Sequence, residues 1–187
     1  MSNRVIKEPK FTITKDIHLS YGHRVWTQEL DPEFALDNSC VCKHLHGHSG
    51  TITVGLSSEK VTDGFVTDFK HLNWLKQAVD THLDHKFIID KNDPLYMYLV
   101  GCAGYEKQPC MLNEKEFFGG AYSLVSPFAL NNSLTEFVES FTVVNFVPTS
   151  ENLAKWIFEI VEKKMERLAT VDFVTWKETE KTSATYS

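Results

Sequence analysis

Two runs of alternating polarity, the second entered through a cluster of thiols and imidazoles, constrain this chain more than any other feature. Thr51-Ile52-Thr53-Val54-Gly55-Leu56 alternates polar and apolar, the period of a half-buried strand. Upstream, Phe11, Ile13, Ile17 and Leu19 mark a second such run, ending in Ser20-Tyr21-Gly22-His23-Arg24. Directly before the later run stands Cys40-Val41-Cys42-Lys43-His44-Leu45-His46-Gly47-His48. Residues two apart on a strand share a face. If the strand extends back through this cluster, His46 and His48 present neighbouring nitrogens, and Gly47 leaves the other face uncrowded. An isolated His-x-His pair usually binds nothing. Here Cys42 lies four residues upstream of His46, and His23 ends a run that could pair with the first. Three imidazoles with a fourth position left open are the donor set of a catalytic zinc site. The expected elements are strands at about 11–24 and 47–58, joined by a loop holding Asp31-Pro32 and Asp37-Asn38.

The remaining periodicity predicts an α+β chain. Phe69, Leu72, Leu75, Val79 and Leu83 recur at the spacing of one helix face, predicting a helix over about 68–82. It closes on Leu83-Asp84-His85, where His85 is either a helix terminus or the acid–base partner of a thiol. A second helix, about 149–168, starts in Pro148-Thr149-Ser150-Glu151-Asn152, with Leu153, Trp156, Ile157, Ile160, Val161 and Leu168 on its apolar face. Glu151 suits a first turn as well as it suits a ligand contact. A last strand, about 171–178, carries Glu178, a position where a carboxylate is normally solvated. The apolar content of 92–147 predicts added strands, a hairpin near 96–112 and a strand near 137–147, since so long a structureless loop is uncommon.

Taken in order, Ser20-Tyr21-Gly22-His23, Cys42-x-x-x-His46-Gly47-His48, Asp68-Phe69 after Gly64-Phe65-Val66, Leu83-Asp84-His85, Pro148-Thr149-Ser150-Glu151-Asn152 and Lys177-Glu178-Thr179 form a recognisable set. It resembles the 6-pyruvoyl-tetrahydropterin synthase family, over about 11–91 and 147–187. The branch it is most similar to is the bacterial 6-carboxytetrahydropterin synthases of queuosine and 7-deazaguanine biosynthesis. The resemblance implies a T-fold (tunnelling fold): an antiparallel sheet with two helices on one face, assembled into an oligomeric barrel. It implies one domain over 1–187 with a family-atypical insertion within about 92–147, and a homohexamer of two stacked trimers with pockets at subunit interfaces.

The same resemblance implies Zn2+ held by His23, His46 and His48, Cys42 as the catalytic thiol, and Asp84 with His85 as its acid–base relay. Glu178 would anchor the pterin ring and Glu151 would be a second substrate contact. The implied substrate is a pterin triphosphate, 7,8-dihydroneopterin triphosphate, and the implied products are 6-carboxytetrahydropterin, acetaldehyde and triphosphate. Thiol spacing separates the branches. The carboxy branch has its thiol four residues before His-Gly-His, as Cys42 stands, and the pyruvoyl branch six before, as Cys40 stands. The Leu45-to-Ser49 context favours Cys42, leaving Cys40 as an ordinary small residue; a pyruvoyl product through Cys40 and a non-catalytic pterin-binding zinc protein are the alternatives. Ile89-Asp90 departs from the family, which usually has an Asn there.

Composition sets the outer bounds. A net charge of −6 argues against nonspecific nucleic-acid binding, so a triphosphate must meet a local basic cluster. Arg24 and Lys43 lie nearest the motif. The four cysteines contain no C-x-x-C pair, the N-terminus does not resemble a signal peptide, and no apolar run approaches the ~20 residues of a membrane span. A reducing cytoplasm is the expected setting, with no membrane partner.

Overall fold

The computed structural model describes residues 11–27, 41–58, 64–101, 113–118, 120–125 and 132–187. Strands β1 (Thr12–His23) and β2 (His46–Ser57) come first, then helix α1 (Asn73–His82) and strand β3 (Lys86–Asp90). The middle of the chain adds β4 (Asn113–Phe118), β5 (Ala121–Val125), helix α2 (Asn132–Glu139) and β6 (Phe141–Val144). Helix α3 (Ser150–Met165) and strands β7 (Thr170–Lys177) and β8 (Ser183–Tyr186) complete it. All the strands join one sheet in the order β4-β5-β6-β3-β1-β2-β7-β8.

The alternation of the first two runs decides the centre of that sheet. β1 and β2 pair antiparallel from Thr12↔Ser57 to His23↔His46. Their inward faces, Ile17, Leu19 and Tyr21 on one and Ile52, Val54 and Leu56 on the other, are buried. Leu75, Val79 and Leu83 from α1 and its end share this core with Leu153, Ile157 and Val161 of α3 and with Val174 and Trp176 of β7. A second, smaller core of Ile89, Val100, Val138, Phe141 and Val143 sits under the middle of the chain.

Three expectations change here. The sheet is mixed rather than antiparallel, because β3 runs parallel to both β1 and β6. β3 starts four residues after α1, so the chain enters it from the helix end and meets β1 only at Tyr21↔Lys86 and Gly22↔Phe87. Residues Met97–Gly101 form a helical turn of the wide π type, while the hairpin of this region is β4–β5, further along. Residues 102–112 of the predicted hairpin lie outside the described residues. The predicted strand near 137–147 is confined to Phe141–Val144, since Phe137 and Val138 belong to α2. A short run rich in aromatic and aliphatic residues fits either period, and packing decided it.

One buried polar contact joins the sheet centre to the site described below. Trp176 is wholly buried and its Nε1–H donates to Tyr21 Oη at 2.7 Å. Burial, partly offset by this bond, pushes the Tyr21 phenol well above its ordinary range, so it stays protonated. Trp176→Phe keeps most of the packing but strands the Tyr21 oxygen. Urea unfolding should show a loss of about 1–3 kcal/mol; an unchanged midpoint would mean that Tyr21 finds another donor.

Candidate active site

The β1–β2 register is what gathers the histidines. It places His23 opposite His46 and Tyr21 opposite His48, so all three imidazoles converge at one end of the pair. Ring centroids lie 4.6 Å (His23–His46), 5.1 Å (His23–His48) and 5.0 Å (His46–His48) apart. One nitrogen of each lies within 4.8 Å of the others, a spacing that suits a metal ion. Gly47 has the purpose its position suggested: a Cβ there would come within 3.0 Å of the Tyr21 carbonyl.

Main-chain carbonyls select the tautomers. His23 Nδ1 bonds to the Pro148 carbonyl at 2.6 Å, and His46 Nδ1 to the His44 carbonyl at 2.8 Å. Each carbonyl demands a proton on Nδ1, which leaves Nε2 as a lone pair, the arrangement a metal ligand needs. Nε2 of His23 and of His48 is buried, and among the described residues neither has a hydrogen-bond partner. Two buried ring nitrogens without partners are costly in an ordinary interior; a cation between them relieves both. Burial is the largest influence on His23 and His48 and holds both below the ordinary imidazole range, so both stay neutral and able to ligate at pH 7. The donor set therefore fits zinc.

A cavity of about 390 Å³ opens beside these rings, lined also by Val25, Val41, Cys42, Thr149, Ser150, Glu151, Glu178 and Thr182. Cys42 sits in a short 3-10 turn, Val41–Lys43, whose position is set by Val25 N–H donating to the Cys42 carbonyl at 2.8 Å. Glu178 directly follows β7, and its Oε1 lies 3.5 Å from His23 Nε2. Glu151 arrives from the first turn of α3, whose N-cap Thr149 accepts from Asn152 N–H. The fold thus brings six of the sequence-predicted residues to one cavity: His23, His46, His48, Cys42, Glu151 and Glu178. Cys40 lies outside the described residues.

Asp84 and His85 are not among them. Asp84 Oδ1 accepts from Ser20 N–H at 2.7 Å, and His85 N–H donates to the Ser20 carbonyl at 2.6 Å. This clamp holds His85 at φ 57°, a left-handed conformation unfavourable for a side chain with a Cβ. His85 Nδ1 lies 3.0 Å from Asp84 Oδ2, and the His85 side chain is 81% exposed. Burial alone would raise the Asp84 carboxyl, but Ser20 N–H and His85 outweigh it and hold it below the usual carboxylate range. His85 borders a different cavity, with Ser20, Gly22, Ser49, Lys86 and Phe87, which shares His48 with the first but not Cys42. Ser20 and Ser49 stand on the sheet face turned away from the core. Within one chain the Asp–His pair and the thiol therefore serve different hollows.

Sequence reasoning missed the Pro148 carbonyl, because a backbone acceptor leaves no mark in residue type. Arg24, one of the two basic residues nearest the motif, is engaged elsewhere: its Nε lies 3.2 Å from the buried Asp93.

The profile described as 6-pyruvoyl tetrahydropterin synthase matches residues 12–187. The chain belongs to this family. Over 165 residues, 84% of this chain and 82% of the relative, it is 31% identical to a 6-carboxy-5,6,7,8-tetrahydropterin synthase of Aquifex aeolicus. An uncharacterised Wolinella succinogenes protein of known structure superposes with a TM-score of 0.84 at 40% identity, covering 96% of this chain and 98% of that one. The 6-pyruvoyl tetrahydropterin synthase of Caenorhabditis elegans shares the fold at a TM-score of 0.55 and 21% identity, covering 98% and 99% of the two chains. Among the described residues of this family member, no helix is long and apolar enough to cross a membrane.

Replacing His48 by Ala in this member of the 6-pyruvoyl tetrahydropterin synthase family removes one of three converging nitrogens. Zinc affinity, read by chelator competition, should fall by more than the roughly 10–100-fold that losing an outer hydrogen-bond partner costs. Wild-type affinity in the variant would place the metal elsewhere.

Proposed function

We propose that this protein is a 6-carboxytetrahydropterin synthase, a zinc-dependent lyase of queuosine and 7-deazaguanine biosynthesis. It converts 7,8-dihydroneopterin triphosphate and water to 6-carboxy-5,6,7,8-tetrahydropterin, acetaldehyde and triphosphate. The observation that carries this reading is the meeting of three imidazoles, the Cys42 thiol and the Glu178 carboxylate around one cavity of about 390 Å³. The similarity to the Aquifex aeolicus enzyme supports the carboxy branch.

The roles follow from the chemistry of each group. His23, His46 and His48 hold the zinc, which supplies Lewis acidity toward the vicinal hydroxyls of the substrate side chain. Glu178 accepts two hydrogen bonds from the adjacent N–H groups of the 2-aminopyrimidinone edge, the strong charge-assisted kind. Glu151, across the same cavity, is a second substrate contact. Cys42 moves protons at side-chain carbon; its place on the cavity wall, four residues before His46, favours it over Cys40. The chain is one domain over 1–187, whose insertion within about 92–147 extends the sheet on the β3 side.

Asp84 and His85 act as the acid–base relay for the thiol of a neighbouring copy, because His85 is exposed and faces away from its own cavity. Self-association suits the sheet edges. β1 meets β3 only at Tyr21 and Gly22, so among the described residues its outer edge from Thr12 to Leu19 has no strand partner. At the far side β8 is likewise an edge. Joining β8 of one copy to the free stretch of β1 in the next covers both of these edges and closes a ring. The assembly is a homohexamer of two stacked trimers, located in the cytoplasm.

Two experiments test this reading. Zinc-loaded protein incubated with dihydroneopterin triphosphate should release acetaldehyde, detected by mass spectrometry after derivatisation, and Cys42→Ala should lower turnover by about 10²–10⁴-fold while zinc remains bound. A pyruvoyl product lost in Cys40→Ala would assign the other branch. For the shared site, inactive Cys42→Ala and inactive His85→Ala proteins are unfolded together and reassembled. Mixed oligomers should regain turnover, since some interfaces then unite an intact thiol with an intact imidazole. No recovery from a verified mixed oligomer would return the relay to its own chain.

A further inference from the structure

Two buried carboxylates at the root of the middle segment have no part in the proposed chemistry, yet they grip the stretch of chain that follows the first histidine of the site. Asp90 and Asp93 are only 2% and 4% exposed. Asp90 Oδ1 accepts from Asn92 N–H and Asn92 Nδ2–H at 2.9 and 3.0 Å, and Asp93 Oδ1 accepts from Leu95 N–H at 2.8 Å. With Asp93 N–H donating to the Asp90 carbonyl, these bonds make a rigid turn from one oxygen of each carboxylate. The other two oxygens point at β1's continuation. Trp26 Nε1–H donates to Asp90 Oδ2 at 3.0 Å, and Arg24 Nε lies 3.2 Å from Asp93 Oδ2.

Past the end of β1, Arg24 and Trp26 both reach the carboxylate turn. Val25 between them faces the other way, lines the cavity, and its N–H holds the Cys42 carbonyl at 2.8 Å. The stretch from Arg24 to Trp26 is therefore strung between the carboxylate turn on one side and the thiol-bearing turn on the other. His23 is less dependent on this stretch, because its ring is fixed by the Pro148 carbonyl.

From this geometry we infer that Asp93, through Arg24, and Asp90, through Trp26, are positioning residues for the Cys42 thiol, and that they act on the thiol rather than on the histidine cluster. The inference deepens the proposed reaction by naming what holds its thiol in place. An isolated extended segment has no reason of its own to keep Val25 within hydrogen-bonding reach of Cys42. Clamping it on both flanks removes that freedom, which is how groups outside a site preserve its geometry. It also explains why Arg24 is held by a buried acid rather than left free for a phosphate.

The test compares wild type, Asp93→Asn and the milder Trp26→Phe, all as zinc-loaded full-length protein. Trp26→Phe keeps the ring and loses a single hydrogen bond, so it remains informative if Asp93→Asn does not fold. The readouts are the iodoacetamide alkylation rate of Cys42, resolved from the other cysteines by peptide mass spectrometry, zinc affinity by chelator competition, and the kinetic constants. In a folded variant, alkylation at Cys42 should change at least fivefold and zinc affinity should stay within twofold. The kinetic constant kcat should fall about 10-fold or more with KM nearly unchanged. Wild-type alkylation and kcat in folded Trp26→Phe and Asp93→Asn would overturn the inference, as would a loss of zinc affinity that accounts for the whole defect. Alkylation and zinc affinity do not depend on the identity of the reaction. Absence of acetaldehyde from the wild type sinks the proposed activity alone, and unaltered thiol reactivity sinks the positioning role alone.

Discussion

The pairing register of the first two strands is the constraint on which the site depends. Because side chains alternate along a strand, a slip of one residue would turn His46 and His48 to the polar face and Gly47 to the core side. Register is held by what lies further along the same strands: Ile17, Leu19 and Tyr21 against Ile52, Val54 and Leu56, all buried under α1 and α3. The energy that fixes three imidazoles at one end thus comes from aliphatic side chains along the rest of the pair. Tyr21 is the joint between them, since its hydroxyl oxygen accepts a hydrogen bond from the Trp176 N–H and its ring packs against His23 and His48.

Around that register the remaining groups are delivered by element ends. Glu178 comes just past the end of β7, Glu151 in the first turn of α3, and Cys42 in the turn before β2. Each is a place where backbone polar groups are free to be reused. The Pro148 carbonyl, just before the α3 N-cap, orients His23, and Val25 N–H, just past β1, holds Cys42. The Asp84–His85 pair is placed in the same manner, at the end of α1, but it is clamped to the Ser20 main chain at the β1 edge where β3 begins. His85 and Cys42 line different cavities that share only His48, so the reading that uses both groups draws on a second copy of the chain.

The middle segment shows how extra sequence is absorbed without disturbing this end of the molecule. β4, β5 and β6 extend the sheet beyond β3, and a separate small core supports them. None of the described residues from 92 to 144 lines the cavity that holds Cys42. Its influence on that cavity runs through the turn at Asp90–Asp93, whose carboxylates reach the chain just after His23.

The period-two pattern marked the first two strands and the shared face of His46 and His48, because alternation is a local property that strand geometry converts directly into a shared face. It offered His23 as the third nitrogen if those strands paired; the register then brought the three together. The two long helices were legible for a similar reason, in the spacing of Leu75 and Val79 and of Leu153, Ile157 and Val161. Glu151 and Glu178 were not legible from spacing, since a carboxylate at a helix start or a strand end is usually solvated; only their place in a resemblance singled them out. Tertiary structure decided the rest. It assigned Tyr96–Val100 and Phe137–Val138 to helical turns rather than strands, because short apolar runs take the conformation that buries them best. It made β3 parallel to its neighbours, put His85 in a different cavity from Cys42, and paired Arg24 with Asp93. Each of these is a contact between residues distant in the chain, and local periodicity holds no information about which distant groups will meet.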